Sequence, residues 1–433
     1  MSEQDRGIRR RTVLKGIGLA GLAAAIGPAL PPLVRPLLGE EITARVPRRV
    51  LGRTGATVPI LNFGACRLDA KFDPKIPEAL GLGIDYFDTA YVYSNGSHEE
   101  LLGANLKALS ERLPEAQRSK IWITTKANDV SENPAELRRQ LETSLQRLQT
   151  DYVDLFFLHG LERVEQLSEA AWQEAQALRK EGKFRFFGFS SCFAASPALL
   201  ERAAQVGWVD AAMVGYNFKM LPPEDDEGKP IELKGEEKAA FERRALTWGD
   251  EMQRALDTAH KAGIGLIAMK TQRSVISFGE RAAKWEDDKY SKHQAVLKAV
   301  WEDERIATIC SSMRTLDALR ENAAAACDRR RLGAAQWEAL ERHARACHGQ
   351  VCDRCDHICG AHLPPDMKVG QVLRCLMYHD AYGDPELARA EFATLPRRAW
   401  DAWGVDFTAA SRCCPNGVDI GRWMRRAGQV LAC

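Results

Sequence analysis

From residue 60 onward, short runs rich in β-branched and aromatic residues alternate with longer segments whose apolar positions recur every three or four residues. The short runs predict strands, and the longer segments predict helices. This alternation is typical of βα units that build a parallel sheet. The predicted strands are Ile60–Arg67, Asp85–Ala90, Ile121–Ala127, Tyr152–Gly160, Phe184–Ser191, Ala211–Asn217, Gly265–Thr271 and Ile306–Met313.

Eight such units over about 270 residues predict an α/β fold of the (β/α)8 TIM barrel type. A doubly wound open sheet is the alternative, but no Gly-x-Gly-x-x-Gly motif opens a first helix. The predicted helices are Pro74–Leu82, Glu99–Leu109, Pro134–Leu148, Val164–Lys180, Pro197–Val206, Glu236–Lys261, Lys292–Val300 and Thr315–Ala326.

The N-terminus has the pattern of an export signal. Arg10 and Arg11 precede Thr12-Val13-Leu14-Lys15 and a short apolar run from Gly16 to Leu30. This order resembles the twin-arginine signal, which implies export of a folded, cofactor-loaded protein. An uncleaved anchor helix or a chance basic terminus is the alternative. We expect residues 1–46 to be signal and linker, and the mature protein to be periplasmic or anchored by its uncleaved signal.

Polar side chains stand at the ends of three consecutive strands. Strand two ends at Asp88 with Tyr93 just beyond, strand three ends at Lys126, and strand four ends at His159. In a barrel of this type the active site lies at the carboxyl ends of the strands, so these four residues are candidates for proton transfer. Tyr91 is an alternative to Tyr93 as the acid.

This set resembles the aldo/keto reductases, which carry Asp-x-x-x-x-Tyr after strand two, Lys after strand three and His after strand four. The resemblance covers about residues 47–330. It extends to Leu51-Gly52-Arg53-Thr54-Gly55, the segment Ser94–Gly103, Gly188-Phe189-Ser190-Ser191, Gly215-Tyr216-Asn217 and Arg320-Glu321-Asn322.

The chemistry explains why these residue types belong together. Hydride transfer to a carbonyl carbon leaves charge on the oxygen, and an acid must protonate that oxygen. A Lys ammonium at about 4 Å and an effective dielectric near 20 contributes roughly 4 kcal/mol, which lowers a Tyr pKa of about 10 by about three units. Tyr93 would then be the acid, Lys126 its activator, Asp88 the partner of Lys126, and His159 a hydrogen-bonding group for the substrate oxygen.

The resemblance also implies an NADP(H) or NAD(H) cofactor. It places Ser190 at the nicotinamide amide, Met269 against the nicotinamide ring, and Tyr216 and Lys270 nearby. Asn322 fits an adenine contact. Ala318 stands where many members have an Arg for the 2′-phosphate, and Arg314 is a candidate substitute. NAD and NADP both remain open.

The twelve cysteines are unevenly distributed, with eight of them between Cys347 and Cys433. Cys352-x2-Cys355-x3-Cys359 reproduces part of the bacterial ferredoxin run, preceded by Cys347 and followed much later by Cys414-Pro415. The tail therefore resembles a ferredoxin domain that has lost one cluster, and it predicts a [4Fe-4S] cluster whose fourth ligand is Cys347 or Cys414. Zinc and disulfides are the alternatives. Cys66, Cys192, Cys310 and Cys327 are predicted to be buried small hydrophobes.

Composition narrows the function. The net charge of +1 gives no reason to expect nucleic acid, and the apolar fraction of 45% supports a core. We expect a signal over 1–46, a barrel over 47–330 and a small, mainly helical Cys-rich domain over 331–433. The predicted function is an NAD(P)-dependent oxidoreductase for a small carbonyl or sugar substrate, with a possible redox partner. The alternative is a non-catalytic barrel scaffold on an electron-transfer or assembly subunit.

Overall fold

The computed structural model describes residues 45–65, 68, 71–128, 133–192, 195–217, 250–272, 285, 287–346, 349–352, 356–414 and 416–432. The predicted export signal, Cys66, Cys347 and Cys355 lie outside these residues. Contacts within the chain divide it into residues 1–43 and 44–433, so the barrel and the tail belong to one compact unit. Within the described residues, no helix combines the length and apolarity needed to cross a bilayer.

The described residues form a closed barrel of eight parallel strands, which confirms the predicted barrel. Each predicted strand is present, most of them one to three residues shorter at their ends. The barrel closes where its last strand in the chain pairs with its first, and every other strand pairs with the strand that follows it in the chain. The strands are β3 Leu61–Gly64, β4 Tyr86–Asp88, β5 Trp122–Ala127, β6 Val153–Leu158, β7 Phe184–Ser191, β8 Ala211–Gly215, β9 Gly265–Met269 and β10 Ile306–Ser311.

Helices follow the strands in the predicted order. The fourth begins later than the predicted Val164, because Val164–Gln166 forms a 3-10 turn and the Ser168 hydroxyl then accepts a hydrogen bond from Ala171 N. The barrel helices are α1 Lys75–Gly81, α2 Ser97–Ser110, α3 Pro134–Leu148, α4 Glu169–Lys180, α5 Ser196–Val206, α6 Asp250–Lys261, α7 Lys292–Trp301 and α8 Leu316–Cys327.

A hairpin that the strand pattern did not predict precedes the barrel. Its strands, β1 Arg48–Val50 and β2 Thr57–Pro59, pair in antiparallel orientation. Leu51 in the connecting turn is fully buried and packs with Tyr86, Phe157 and other residues of the barrel interior. The hairpin therefore closes the end of the barrel that is opposite the carboxyl ends of the strands.

The tail is helical in its described part. Its helices after residue 355 pack around one core that includes Leu373, Leu376, Met424 and Ala427, together with Cys359 and Cys414. The first tail helix, Ala334–Ala346, packs through Leu340 against Val296 of the barrel helix Lys292–Trp301 instead. A small, mainly helical C-terminal region was predicted, and the helical content agrees with that expectation. The tail helices are α9 Ala334–Ala346, α10 Asp356–Cys359, α11 Val369–Asp380, α12 Pro385–Ala393, α13 Thr408–Arg412 and α14 Ile420–Leu431.

Candidate active site

Side chains along each strand alternate between the inside and the outside of the barrel, and this alternation determines which residues face its mouth. Tyr86 belongs to the apolar cluster inside the barrel, so Asp88, two residues further along β4, faces the same interior one layer higher. Asp88 pairs in register with Thr124 on β5, and Lys126 lies two residues beyond Thr124. This geometry brings an acid and an amine to the carboxyl end of adjacent strands.

Lys126 and Asp88 form a buried ion pair. The Lys126 ammonium donates to Asp88 Oδ1 at 2.5 Å and to the backbone oxygen of Thr89 at 2.6 Å. Side-chain exposure is 1% for Lys126 and 3% for Asp88. Burial raises the pKa of Asp88, and the ammonium of Lys126 counteracts this effect. The carboxylate and the backbone oxygen therefore fix the position of the ammonium.

Tyr93 lies beside this pair, at the start of the 3-10 turn Tyr93–Gly96. The Lys126 nitrogen is 5.2 Å from the centre of the Tyr93 ring, and the edge of that ring meets His159 at a centroid distance of 5.7 Å. Tyr91, the alternative acid, accepts a hydrogen bond from Arg139 and packs under Arg147 instead. The structure therefore brings Tyr93, and not Tyr91, next to Lys126 and His159.

His159 is held as a neutral imidazole. Desolvation, followed by the charges of Lys126 and Lys270, lowers the pKa of His159 to about 3. Its Nδ1 lies 2.6 Å from Asn128 Oδ1. Because an amide oxygen only accepts, Nδ1 carries the proton in this arrangement, and Nε2 is left as an acceptor. Rotating the Asn128 amide by 180° reverses both roles, since its nitrogen would then donate to Nδ1.

Asn128 is a site residue that the sequence analysis missed. Gln140 on α3 fixes its backbone, because Asn128 N donates to Gln140 Oε1 and Gln140 Nε2 donates to Asn128 O, each at 2.9 Å. The indication available in the sequence was that Asn128 lies two residues after Lys126, just beyond the end of a predicted strand. A strand-end position of this kind is also where polar loop residues occur, so the pattern alone did not single it out.

Three of the predicted cofactor residues line the mouth. Ser190 is buried on β7, and its hydroxyl accepts a hydrogen bond from Gly160 N, next to His159. Met269 ends β9 and packs against the interior cluster. Lys270 has a backbone φ of 59°, in the left-handed region, and its charge acts on His159. Such backbone strain in a non-glycine residue is typical of functional sites.

The other three predicted cofactor residues are engaged elsewhere. Tyr216 is buried and donates its hydroxyl proton to Asp303 at 2.7 Å, so its hydroxyl is directed to the α7–β10 loop. The Asn322 amide accepts from Gln272 Nε2 and donates to the Ser311 hydroxyl. Arg314 forms an ion pair with Asp384 of the tail. These contacts give Tyr216 and Asn322 structural roles that the sequence did not indicate.

The prediction that the barrel cysteines are buried small hydrophobes was wrong for three of them. Cys192, Cys310 and Cys327 are partly exposed. The ammonium of Lys270 donates to Cys192 Sγ at 2.8 Å, and Cys310 hydrogen-bonds Asp88. Cys192 follows the end of β7, whereas Cys310 on β10 packs at the edge of the apolar cluster inside the barrel.

In the tail, four of the described cysteines lie near one another. The pKa of Cys359 is raised to about 12, first by burial and then by the charges of Asp356, Cys352, Cys414 and Cys413. Cys413, the residue before the predicted ligand Cys414, was not among the predicted ligands. Its Sγ donates to the backbone oxygens of Ala410 and Ile358, the second of which lies in the turn that carries Cys359.

No group of three or more His, Cys, Asp or Glu side chains in the described part of the chain is arranged to hold a metal ion. The chemistry of the donor set nevertheless fits an iron–sulfur cluster or zinc, since thiolates are ligands for both. Cys355, in the middle of the predicted loop, and Cys347 lie outside the described residues. Among the described predicted ligands, Cys352 and Cys414 lie close enough to Cys359 for their charges to raise its pKa.

A comparison with protein families finds a match over the residues that carry the candidate site. Residues 72–234, which carry the four polar strand-end residues, match the Aldo/keto reductase family. Over this segment the chain is similar to the aldo/keto reductases, a family of oxidoreductases.

Relatives with the higher sequence identity match only part of this chain, and a relative that matches more of the chain has lower identity. L-galactose dehydrogenase of Arabidopsis thaliana is 34% identical over 160 residues, which cover 34% of this chain and 49% of that protein. An uncharacterized oxidoreductase of Bacillus subtilis is 25% identical over 69% of this chain and 96% of its own length. In the stretches of higher identity the chain spans about half the length of the curated relatives it matches.

Among solved structures, an aldo-keto reductase from Bacillus halodurans in its holo form shares the fold. The TM-score is 0.52 at 22% identity, and the match covers 70% of this chain and 97% of that one. This match leaves about 30% of the chain without a counterpart in that structure.

Proposed function

We propose that the protein is an NAD(P)-dependent oxidoreductase that interconverts a carbonyl group and an alcohol. The observation that carries this proposal is the position of Tyr93 between Lys126 and His159, with Lys126 fixed by the buried carboxylate of Asp88. A scaffold without activity has no use for an ammonium that is desolvated beside a phenol.

In the reductive direction, Tyr93 gives its proton to the substrate oxygen, and the positive charge of Lys126 stabilises the tyrosinate that remains. In the oxidative direction, the same tyrosinate removes the proton of the alcohol. His159 stays neutral throughout because its pKa is about 3. Because the single hydroxyl proton of an alcohol is directed to the Tyr93 oxygen, His159 Nε2 contacts the substrate oxygen as a donor in both directions, which requires the Asn128 amide in the rotated orientation.

The mouth of the barrel fits a nicotinamide cofactor, which supplies or accepts the hydride when it is bound. Ser190 and Lys270 offer polar groups, and Met269 offers an apolar contact for a ring. All three lie on the side of the mouth formed by β7 and β9, next to His159. The carbonyl or alcohol carbon would then lie between this side and Tyr93.

The substrate class that we propose is a small aldehyde, ketone or sugar. The mouth carries Tyr93, His159 and Asn128 as hydrogen-bonding groups, which suits a hydroxylated substrate. The similarity to L-galactose dehydrogenase over 160 residues supports a sugar or a hydroxy-aldehyde.

The experiment is a titration of anaerobically purified protein with NADH and NADPH, followed by turnover with a panel of sugars and short aldehydes. We expect saturable quenching of protein fluorescence and oxidation of the nicotinamide by at least one carbonyl compound. Protein that is folded by circular dichroism but binds neither nucleotide would refute the proposed function.

We further propose that the tail holds one [4Fe-4S] cluster, with Cys352, Cys355, Cys359 and Cys414 as ligands. The nearness of Cys414 to Cys359, and the ferredoxin pattern in which a Cys-Pro ligates the cluster of the other run, support Cys414 as the fourth ligand. A bound cluster would supply one-electron transfer, and a redox partner would then be required. Metal analysis of the same anaerobic sample tests this. Four irons per chain support the cluster, whereas stoichiometric zinc without iron would leave a structural site.

Export by the twin-arginine route is proposed from Arg10 and Arg11 alone. A cluster that is inserted before export requires a route for folded proteins, which agrees with this signal. Replacing both arginines by lysine should retain the protein in the cytoplasm, as measured by cell fractionation. Unchanged export of that variant would exclude the route.

A further inference from the structure

The tail meets the mouth of the barrel at the loop that follows β10. Arg314 of this loop pairs with Asp384, which lies in the turn between α11 and α12. The guanidinium carbon of Arg314 also lies 5.8 Å from the centre of the Tyr382 ring in the same turn. Asp384 and Tyr382 of the tail therefore both contact an arginine that lies at the barrel mouth.

Arg314 stands where barrels of this type bind phosphate. Phosphate sites in (β/α)8 enzymes are commonly formed by the loops after the seventh and eighth strands together with a helix N-terminus. β9 and β10 are these strands, and Arg314 immediately precedes Thr315, the N-cap of α8. The backbone oxygen of Arg314 also accepts a hydrogen bond from the Lys75 ammonium at 3.0 Å. An arginine so placed is suited to a phosphate group, because its planar guanidinium matches phosphate oxygens.

Asp384 changes what this arginine can bind. One carboxylate oxygen caps α12 by accepting from Leu387 N at 3.1 Å, and the other pairs with Arg314. The cap holds the carboxylate in place, so a phosphate that approaches Arg314 meets a fixed negative charge. A ribose hydroxyl meets no such repulsion, because it is neutral and can donate a hydrogen bond to a carboxylate.

We infer that Asp384 is a specificity-determining residue that the tail contributes to the barrel. It excludes the 2′-phosphate of NADP(H) from Arg314 and makes the enzyme select NAD(H). This inference rests on the proposed function, because it requires that a dinucleotide binds along the β9–β10 side of the mouth.

The test measures the affinities of NADH and NADPH by fluorescence titration, without turnover. The wild type should bind NADH more tightly than NADPH. D384N should raise the affinity for NADPH about tenfold or more and change that for NADH little, because only the 2′-phosphate gains an unopposed cation. Asn is also a good N-cap, so α12 should be preserved.

R314Q is a second, independent test, because it removes the positive charge of Arg314 and leaves the Asp384 carboxylate in place. It should weaken NADPH binding further, and R314Q/D384N should lose the gain seen in D384N. Asp401, which pairs with the exposed Arg397 elsewhere in the tail, supplies the matched control D401N, with unchanged affinities.

The outcomes separate the inference from the proposed function. Binding of both nucleotides with an NADPH to NADH ratio that D384N and R314Q leave unchanged would overturn the inference alone, as would a wild type that prefers NADPH. Binding of neither nucleotide by folded protein would overturn the proposed function and this inference with it.

Discussion

The barrel mouth and the tail each gather ionisable groups away from water, but they balance charge differently. In the mouth, the Lys126 ammonium is paired with the Asp88 carboxylate, so this buried pair is neutral. In the tail, the described groups that raise the pKa of Cys359 are an acid and three thiols, all of which are negative when ionised. Burial of like charges without a compensating cation is unfavourable.

This difference indicates what each region requires. The mouth can hold its proton-transfer groups in position before any ligand arrives, because the Lys126 ammonium and the Asp88 carboxylate compensate each other. Ionised thiolates in the tail would need a positive group beside them, and the metal centre proposed above would supply that charge. We therefore expect the mouth to keep its arrangement without the proposed metal, and the tail to depend on it.

The largest effect is expected for Tyr93→Phe. The substitution removes the proton donor and keeps the ring, so kcat for carbonyl reduction should fall about 10²–10⁴-fold while nicotinamide affinity persists. Steady-state kinetics and a binding titration measure the two quantities. Tyr91→Phe is the matched control, because Tyr91 is held by arginines outside the site, and its kcat should stay within about twofold of the wild type. Comparable losses in both variants would contradict the assignment.

The next effect concerns the metal of the tail. Cys414→Ser should remove most of the iron, because one of four thiolate ligands is lost, whereas Cys347→Ser should leave it in place. Cys375→Ser is a control for the loss of a buried tail thiol, because Cys375 lies in the tail core and outside the predicted ligand set. Iron content and visible absorption report the outcome. The reverse pattern would make the first cysteine loop self-sufficient.

A smaller effect is expected for Lys126→Met. Without the ammonium, the Tyr93 pKa should return toward its ordinary value of about 10, so alcohol oxidation should slow about 10–100-fold near neutral pH and recover as the pH rises. The double variant D88N/K126M also removes the buried carboxylate and should show the same pH profile. A rate that is independent of pH in both variants would refute the role of Lys126 as activator.

The smallest effect is on stability, through His159. Its pKa of about 3 in the folded protein lies below the value of about 6.5 in an unfolded chain, so unfolding takes up a proton between these values. Stability is therefore lost as the pH falls below about 6.5. At pH 5 the wild type should have lost at most about 2 kcal/mol relative to His159→Gln. Chemical denaturation of both proteins at pH 7 and pH 5 measures this, and parallel pH dependences would contradict it.

The barrel could be predicted from sequence because local patterns determine it. Phe184–Ser191 and Pro134–Leu148 were predicted with their observed bounds, since a continuous apolar run and a helical period each define their own ends. The hairpin Arg48–Pro59 was missed, because its strands are three residues long and carry no alternating pattern. The residues at the strand ends of the mouth could be predicted for the same reason, because the local pattern that ends each strand also gives their position.

Contacts between distant parts of the chain could not be predicted in this way. The pair Arg314–Asp384 joins residues 70 positions apart, and nothing local to either residue indicates the other. Asn128 was missed because its role depends on Gln140 and His159, which approach it only in the folded barrel. The nearness of Cys413 and Cys414 to Cys359 likewise arises from the packing of the tail helices.

The closure of the barrel has a consequence for how the chain folds during synthesis. β3 pairs with β10, where Leu61 lies opposite Ile309, about 250 positions later in the chain. Each of the other strand pairs joins neighbours in sequence and can form as the chain lengthens. Until the last strand leaves the ribosome, one edge of β3 therefore has no partner and is open to wrong pairing with another chain. Completion of the barrel is thus a late event, with a high entropic cost of loop closure, and a chaperone that covers β3 would protect the growing chain for most of its synthesis.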